Sequence, residues 1–204
     1  MAKNPILSDK TQLPQAFDLS MSDDALITFG APVGPVGPFG PIAVSFLDTG
    51  FMPVNALTIG GEMQQLKGKL DGLFIQYNAT GIQNFAAPGV PTTADYTTLH
   101  YELVGYKGDA TFGHAADGTP TLSGAKHLTV LAQGDLLPGM GHLGFTQAGG
   151  IAGTVATSFQ VNGAAAGTVN FTVEHSATDT GPAPGGFTLS GGTLHATFVP
   201  AVIV

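Results

Sequence analysis

The stretch Gln65-Leu66-Lys67-Gly68-Lys69-Leu70-Asp71-Gly72-Leu73-Phe74-Ile75-Gln76-Tyr77 decides the fold class. Its first half alternates, with Leu66, Gly68 and Leu70 on one side and Lys67, Lys69 and Asp71 on the other. A period of two places successive side chains on opposite faces of an extended chain, so this reads as a strand with one face buried and one in water. Working outward, the same texture recurs in Ile42–Phe46, Thr97–Tyr106, Lys126–Ala132, Thr154–Val161, Gly167–His175, Phe187–Ser190 and Thr193–Phe198. Between these runs stand turn clusters such as Asp117-Gly118-Thr119-Pro120, Asn162-Gly163 and Ser190-Gly191-Gly192. Glycine (30) and proline (14) together exceed a fifth of the 204 residues, which suits many tight turns better than long helices. The expectation is an all-β chain: an antiparallel β-sandwich or β-barrel of about 8–10 strands with Gly/Pro-rich loops. No fixed internal period is present, which argues against a solenoid.

The N-terminal end reads differently. Asp18-Leu19-Ser20-Met21-Ser22-Asp23-Asp24 has capping residues but no sustained helical stripe. Residues 1–24 are therefore expected to form an extended N-terminal arm, leading into a first strand at Ala25–Phe29 and a single all-β domain over 25–204. Three Gly-Pro-X triplets start at Gly34. They are too few for a collagen triple helix and read as a rigid, solvated surface loop.

Composition excludes several functions. Six basic residues face fourteen acidic ones for a net charge of −8, and all six are lysine. Without arginine the usual fork for phosphate and carboxylate is absent, and nucleic acid would have to approach a negative field, so no nucleic-acid partner is expected. There is no cysteine, which removes disulfides, thiolate chemistry and zinc–thiolate sites. No run of about 18 apolar residues occurs, so no transmembrane segment is expected. The first residues carry no apolar signal-peptide core. Only 10% of residues are charged, and the chain is rich in Thr, Gly, Ala and Asn, a composition associated with bacterial surface proteins. The closing Phe198-Val199-Pro200-Ala201-Val202-Ile203-Val204 reads as a last strand, with an uncleaved secretion tail as the second reading.

Residues able to carry chemistry are sparse. The six histidines, His100, His114, His127, His142, His175 and His195, form no local metal pair, and no metal site is expected. No Gly-x-Ser-x-Gly elbow occurs. Most carboxylates are single aspartates at turns, where they bond their own backbone, with calcium as the runner-up. Three glutamates and no tryptophan argue against a carbohydrate cleft. One constellation stands out: His100 and Glu102 share a face of one strand, with Tyr106 four residues on and Tyr101 between. His100, Tyr101, Glu102 and Tyr106 are the candidate ligand-binding residues. No catalytic residue and no cofactor is assigned.

The segments YTTLHYELVGYKGDATFG (96–113), HLTVLAQGDLLPG (127–139), GTVATSFQVNGAAAGTVNFTVEHSATDTG (153–181) and FTLSGGTLHATFVP (187–200) resemble exported bacterial surface proteins of the flocculation-associated PEP-CTERM type. The shared features are a strand leading to Gly-Asp, acidic Gly-rich turns, Ala/Thr strands and a closing Ser-Gly-Gly strand, over about half the chain. The chain shows neither that family's signal peptide nor its Pro-Glu-Pro anchor. The resemblance implies an extracellular matrix or aggregation role and carries over no catalytic residue.

The functional expectation is a secreted, non-enzymatic structural or adhesive protein of a bacterial surface or biofilm matrix, self-associating through β-strand contacts into a homo-oligomer or polymer. The arm would donate a strand to a neighbour, with Pro5, Ile6, Leu7, Leu13, Phe17 and Leu19 as assembly residues. Two alternatives stand beside it. One is a β-barrel binding a small apolar ligand or haem near His100 and Tyr101. The other is a barrel enzyme of the cyclase kind, which holds a reactive substrate in a shaped apolar cavity.

Overall fold

A computed structural model describes residues 16–33, 36–37, 40–41, 43–66, 70–87, 90–145, 151–175, 178–183 and 186–201. Among them the chain forms β1 (Phe17–Pro32), β2 (Val36–Gly37), β3 (Gly40–Pro41), β4 (Ala43–Ile59), β5 (Glu62–Gln64), β6 (Gly72–Ala87), β7 (Val90–Lys107), β8 (Thr111–His114), β9 (Pro120–Ser123), β10 (Lys126–Phe145), β11 (Ile151–Val161), β12 (Ala164–His175), β13 (Thr178–Ala183) and β14 (Gly186–Pro200). Eight of these, β1, β4, β6, β7, β10, β11, β12 and β14, pair antiparallel each with the next in sequence, and β14 pairs back with β1. The result is a closed up-and-down β-barrel rather than a sandwich, and closure leaves its wall without a free edge. β5 and β13 are short additions on β4 and β14.

The strands are longer than the alternating runs suggest. The expected strand at Ala25–Phe29 is the middle of β1, which begins at Phe17, so the boundary set at residue 24 falls inside a barrel strand. Of residues 65–77, the strand holds only Gly72–Tyr77 and continues to Ala87, while Gln65, Leu66, Leu70 and Asp71 precede it. Runs expected at 187–190 and 193–198 are one strand, β14. Strands pass through positions that read as breaks because bulges absorb them; the β10 ladder shifts register between Leu136 and Gly141, around Pro138-Gly139. Asn162-Gly163 is a two-residue hairpin turn as its sequence requires, with both φ angles positive, 52° and 77°. Val36–Gly37 and Gly40–Pro41 make a small ladder within the Gly-Pro-X region.

Alternation along each strand divides the side chains between interior and exterior. The barrel end carrying Asn162-Gly163 and the strand ends Phe17 and Pro200, here called the lower end, is filled by large apolar groups. Phe17 stacks on Phe198 across the closing β1–β14 seam, with ring centroids 4.3 Å apart. Phe159 and Tyr101 meet Phe198 edge-on at 5.6 and 6.4 Å, and Phe171 meets Tyr101 at 5.3 Å. Leu19, Met21, Ile75, Leu103 and Val169 complete this buried plug. Full burial of each such side chain contributes about 1.5–3 kcal/mol. Phe17 and Leu19, expected to be available for assembly, are therefore spent in the chain's own core; Pro5, Ile6, Leu7 and Leu13 lie outside the described residues.

At mid-height the outer wall is polar, with Gln76, Asn78, Thr98, His100 and Asp135 exposed. Among the described residues no helix is long and apolar enough to cross a membrane.

Candidate functional site

Of the four sequence-predicted ligand residues, three lie on the outer wall and one points the other way. Tyr101 faces the core, fully buried, its hydroxyl donating to the Ser158 carbonyl at 3.2 Å. Burial pushes that phenol above its ordinary range. His100 and Glu102, on either side of it, necessarily face out. The His100 Nδ1 lies 2.8 Å from Asp135 Oδ1, and Glu102 accepts from Gln76 Nε2 at 2.5 Å. Tyr106 belongs to a separate aromatic cluster on the outer wall. There Phe112, from the β8–β9 hairpin folded back over the barrel, sits 5.5 Å from Phe74, 5.8 Å from Phe51 and 6.5 Å from Tyr106. The hairpin is tied further by His114, whose Nε2 lies 3.0 Å from the Ala25 carbonyl oxygen.

Hairpin and wall enclose an open cleft of about 380 Å³. The pairing register builds its floor as two neighbouring rungs, Thr49–Asn78–His100 and Phe51–Gln76–Glu102, and Thr119 and Pro120 form its side. The sequence reading of His100 and Glu102 as one surface is thus met by the geometry, while Tyr101 and Tyr106 stand apart from each other.

The more unusual chemistry is inside. In β1 the inward phase runs Phe17, Leu19, Met21, Asp23, Ala25; in β4 it runs Phe46, Asp48, Gly50, Met52. Both aspartates are buried in the barrel's upper half. Tyr77, inward on β6, brings its hydroxyl within 3.1 Å of Asp23 Oδ1 and 3.0 Å of Asp48 Oδ1. Tyr96, inward on β7, donates to Asp48 Oδ2 at 3.0 Å. Room for the Tyr77 hydroxyl comes from Gly50, where a Cβ would stand 3.0 Å from that oxygen and 2.5 Å from the Asp24 carbonyl oxygen.

Electrostatics follow from this enclosure. Burial pushes the Asp23 carboxyl well above the usual carboxylate range; the neighbouring Asp48 charge adds to this, and the Tyr77 hydrogen bond opposes it. Burial also pushes Asp48 up to about 6, against hydrogen bonds from Tyr96 and Tyr77 that hold it down. Both phenols are raised by burial and by the adjacent carboxylates. Among the described residues no cation contributes to either shift. Among the described residues no group of three or more histidines and carboxylates is placed to hold a metal ion.

The sequence reading missed this cluster, although a signal exists. Asp23 and Asp48 sit on the apolar phase of alternating runs, where a carboxylate is out of place. Reading 18–24 as capping residues of an arm hid the phase. Comparison with protein-family models, curated proteins and solved structures finds no significant match, so the functional reading rests on the fold and on these side chains.

Proposed function

We propose that this protein is a small-molecule-binding β-barrel whose site is the upper half of the barrel interior, with Asp23, Asp48, Tyr77 and Tyr96 as its polar anchors. One observation carries the reading: two carboxyls turn inward on apolar strands, beside each other, with hydroxyls as partners and, among the described residues, no cation. Removing a carboxylate from water costs several kcal/mol, and well-packed apolar side chains would serve stability as well or better. Such an arrangement is therefore a candidate for chemistry rather than for packing. An eight-stranded barrel has an interior of the width that side chains fill or that one small ligand occupies, and barrel mouths are recurrent ligand sites. The anchors favour a compact, largely apolar molecule with a hydrogen-bonding group at one end, and they can exchange a proton with it. The reading of an extracellular protein assembling by strand donation has less support here, because the wall closes on itself and Phe17 and Leu19 are inside it.

The test is titration with the neutral fluorophore N-phenyl-1-naphthylamine. Saturable one-to-one binding is expected, lost in Ala79→Phe, which crowds the cross-strand neighbour Asp48, and kept in Gln133→Ala on the wall between β7 and β11. Should the phenylalanine unfold the barrel, Ala79→Leu takes its place. No emission change in the wild type, or binding indifferent to the filling of position 79, overturns the proposal.

A further inference from the structure

We infer that Asp23 and Asp48 share a single proton at neutral pH, held on Asp23 and relayed through Tyr77, so that the pair is one acid and one carboxylate acting as a unit. The argument is a count of protons. Tyr77 has one hydroxyl hydrogen but lies at hydrogen-bond distance from two carboxyl oxygens, Asp23 Oδ1 and Asp48 Oδ1. A hydroxyl donates once and accepts through its lone pairs. Both contacts are hydrogen bonds only when one carboxyl carries a proton and donates it to the Tyr77 oxygen. Two ionised carboxylates at this spacing would leave one of them facing a lone pair across a buried, low-dielectric gap, where an unmade bond to a charged group is most costly.

The assignment to Asp23 follows from the remaining partners. Asp48 receives Tyr96 on its other oxygen, so with Tyr77 it accepts two phenol hydrogens, the arrangement that favours a carboxylate. Among the described residues, the Tyr77 contact is the one side-chain hydrogen bond of the Asp23 carboxyl. The order is therefore Asp23 O–H to Tyr77, Tyr77 O–H to Asp48, and Tyr96 O–H to Asp48. The charged and titratable groups around the pair are consistent with it: Asp24 on β1 turns outward and accepts from Ser190, Tyr77 and Tyr96 come from β6 and β7, and Asp95 on β7 is bonded outward to Asn84 and His142. His114 of the hairpin stays on the outer side, at the Ala25 carbonyl. Coupled carboxyls of this kind titrate as a pair rather than as two sites.

For the interior site proposed above, the consequence is that a bound ligand meets a proton donor and a proton acceptor one hydroxyl apart, although the proton count itself does not depend on that reading. Infrared difference spectroscopy of the unliganded wild type tests it. A protonated-carboxyl C=O stretch is expected at pH 7, absent in Asp23→Asn and retained in Asp48→Asn. Asp23→Asn, whose amide donates to Tyr77 as the acid does, is expected to unfold at the same urea midpoint as the wild type. A spectrum without that band in the wild type overturns the shared proton; a band that survives Asp23→Asn overturns its assignment. The band together with no fluorophore binding would sink the ligand reading and leave the shared proton standing, and the reverse pair of results would do the opposite.

Discussion

The two halves of the barrel interior are built by the same alternation and reach opposite ends. Below, the inward row is Phe17, Leu19, Met21, Ile75, Tyr101, Leu103, Phe159, Val169 and Phe198, an aromatic and aliphatic plug in which Phe17 and Phe198 also staple the closing seam. Above, the same strands turn in Asp23, Asp48, Tyr77 and Tyr96, with Gly50 leaving room for the Tyr77 hydroxyl. The lower half holds the cylinder shut by burial. The upper half gives up part of that stabilisation to keep ionisable groups away from water, the contrast on which the proposed interior site rests.

The contrast can be broken most strongly from below. Phe198→Ala removes a ring shared by three aromatic neighbours, Phe17, Tyr101 and Phe159, and is expected to cost about 3–5 kcal/mol, read as a lowered urea midpoint with unchanged slope. From above, Gly50→Val forces a side chain against the Tyr77 hydroxyl and is expected to cost about 1–3 kcal/mol by the same measurement. Tyr96→Phe leaves Asp48 with one phenol instead of two; a loss of about 1–3 kcal/mol is expected at pH 8, shrinking at pH 4 where Asp48 is protonated.

The pH dependence sharpens the comparison further. Because the folded Asp48 is raised to about 6 from an unfolded value near 3.8, the folded state binds its proton more tightly than the unfolded chain. Stability from this group is complete below the unfolded value and is lost as pH rises through about 6, the opposite of ordinary acid denaturation. Urea midpoints measured from pH 4 to pH 8 should show this decline in the wild type and a flatter profile in Asp48→Asn. The smallest effect belongs to the outer wall. His100→Ala breaks an exposed pair with Asp135, and a change within about 0.5 kcal/mol is expected, because such pairs add little in water. A larger loss there would place structural weight on the cleft and weaken the division into an inner plug and an inner polar cluster.

The legibility of the molecule followed the same division. Strand segments were visible wherever polar residues alternated with Leu, Val or Phe, as in Thr154–Val161 and Thr97–Tyr106, because burial on one face imposes a period of two. Strand ends were not, because Gly50, Gly81 and Pro138 look like breaks in one dimension and are absorbed in three by close packing or a bulge. His100 and Glu102 were legible as one surface for the reason that Tyr101 was not part of it: neighbours along a strand face opposite ways. Asp23 and Asp48 were illegible as a pair, being 25 positions apart in sequence and joined only by Tyr77 from a third strand.

The sequence by itself determined the secondary-structure class, the tight turn at Asn162-Gly163 and the absence of arginine and cysteine chemistry. These depend on local periodicity, on which residues tolerate positive φ, and on which side chains exist at all. Only the tertiary structure decided that the sheet closes, since closure depends on the last strand finding the first, and that Phe17 pairs with Phe198 rather than with a neighbouring molecule. It also decided that a single phenol meets two carboxyls. That contact is set by strand register, and register is a property of pairs of strands that no one strand carries alone.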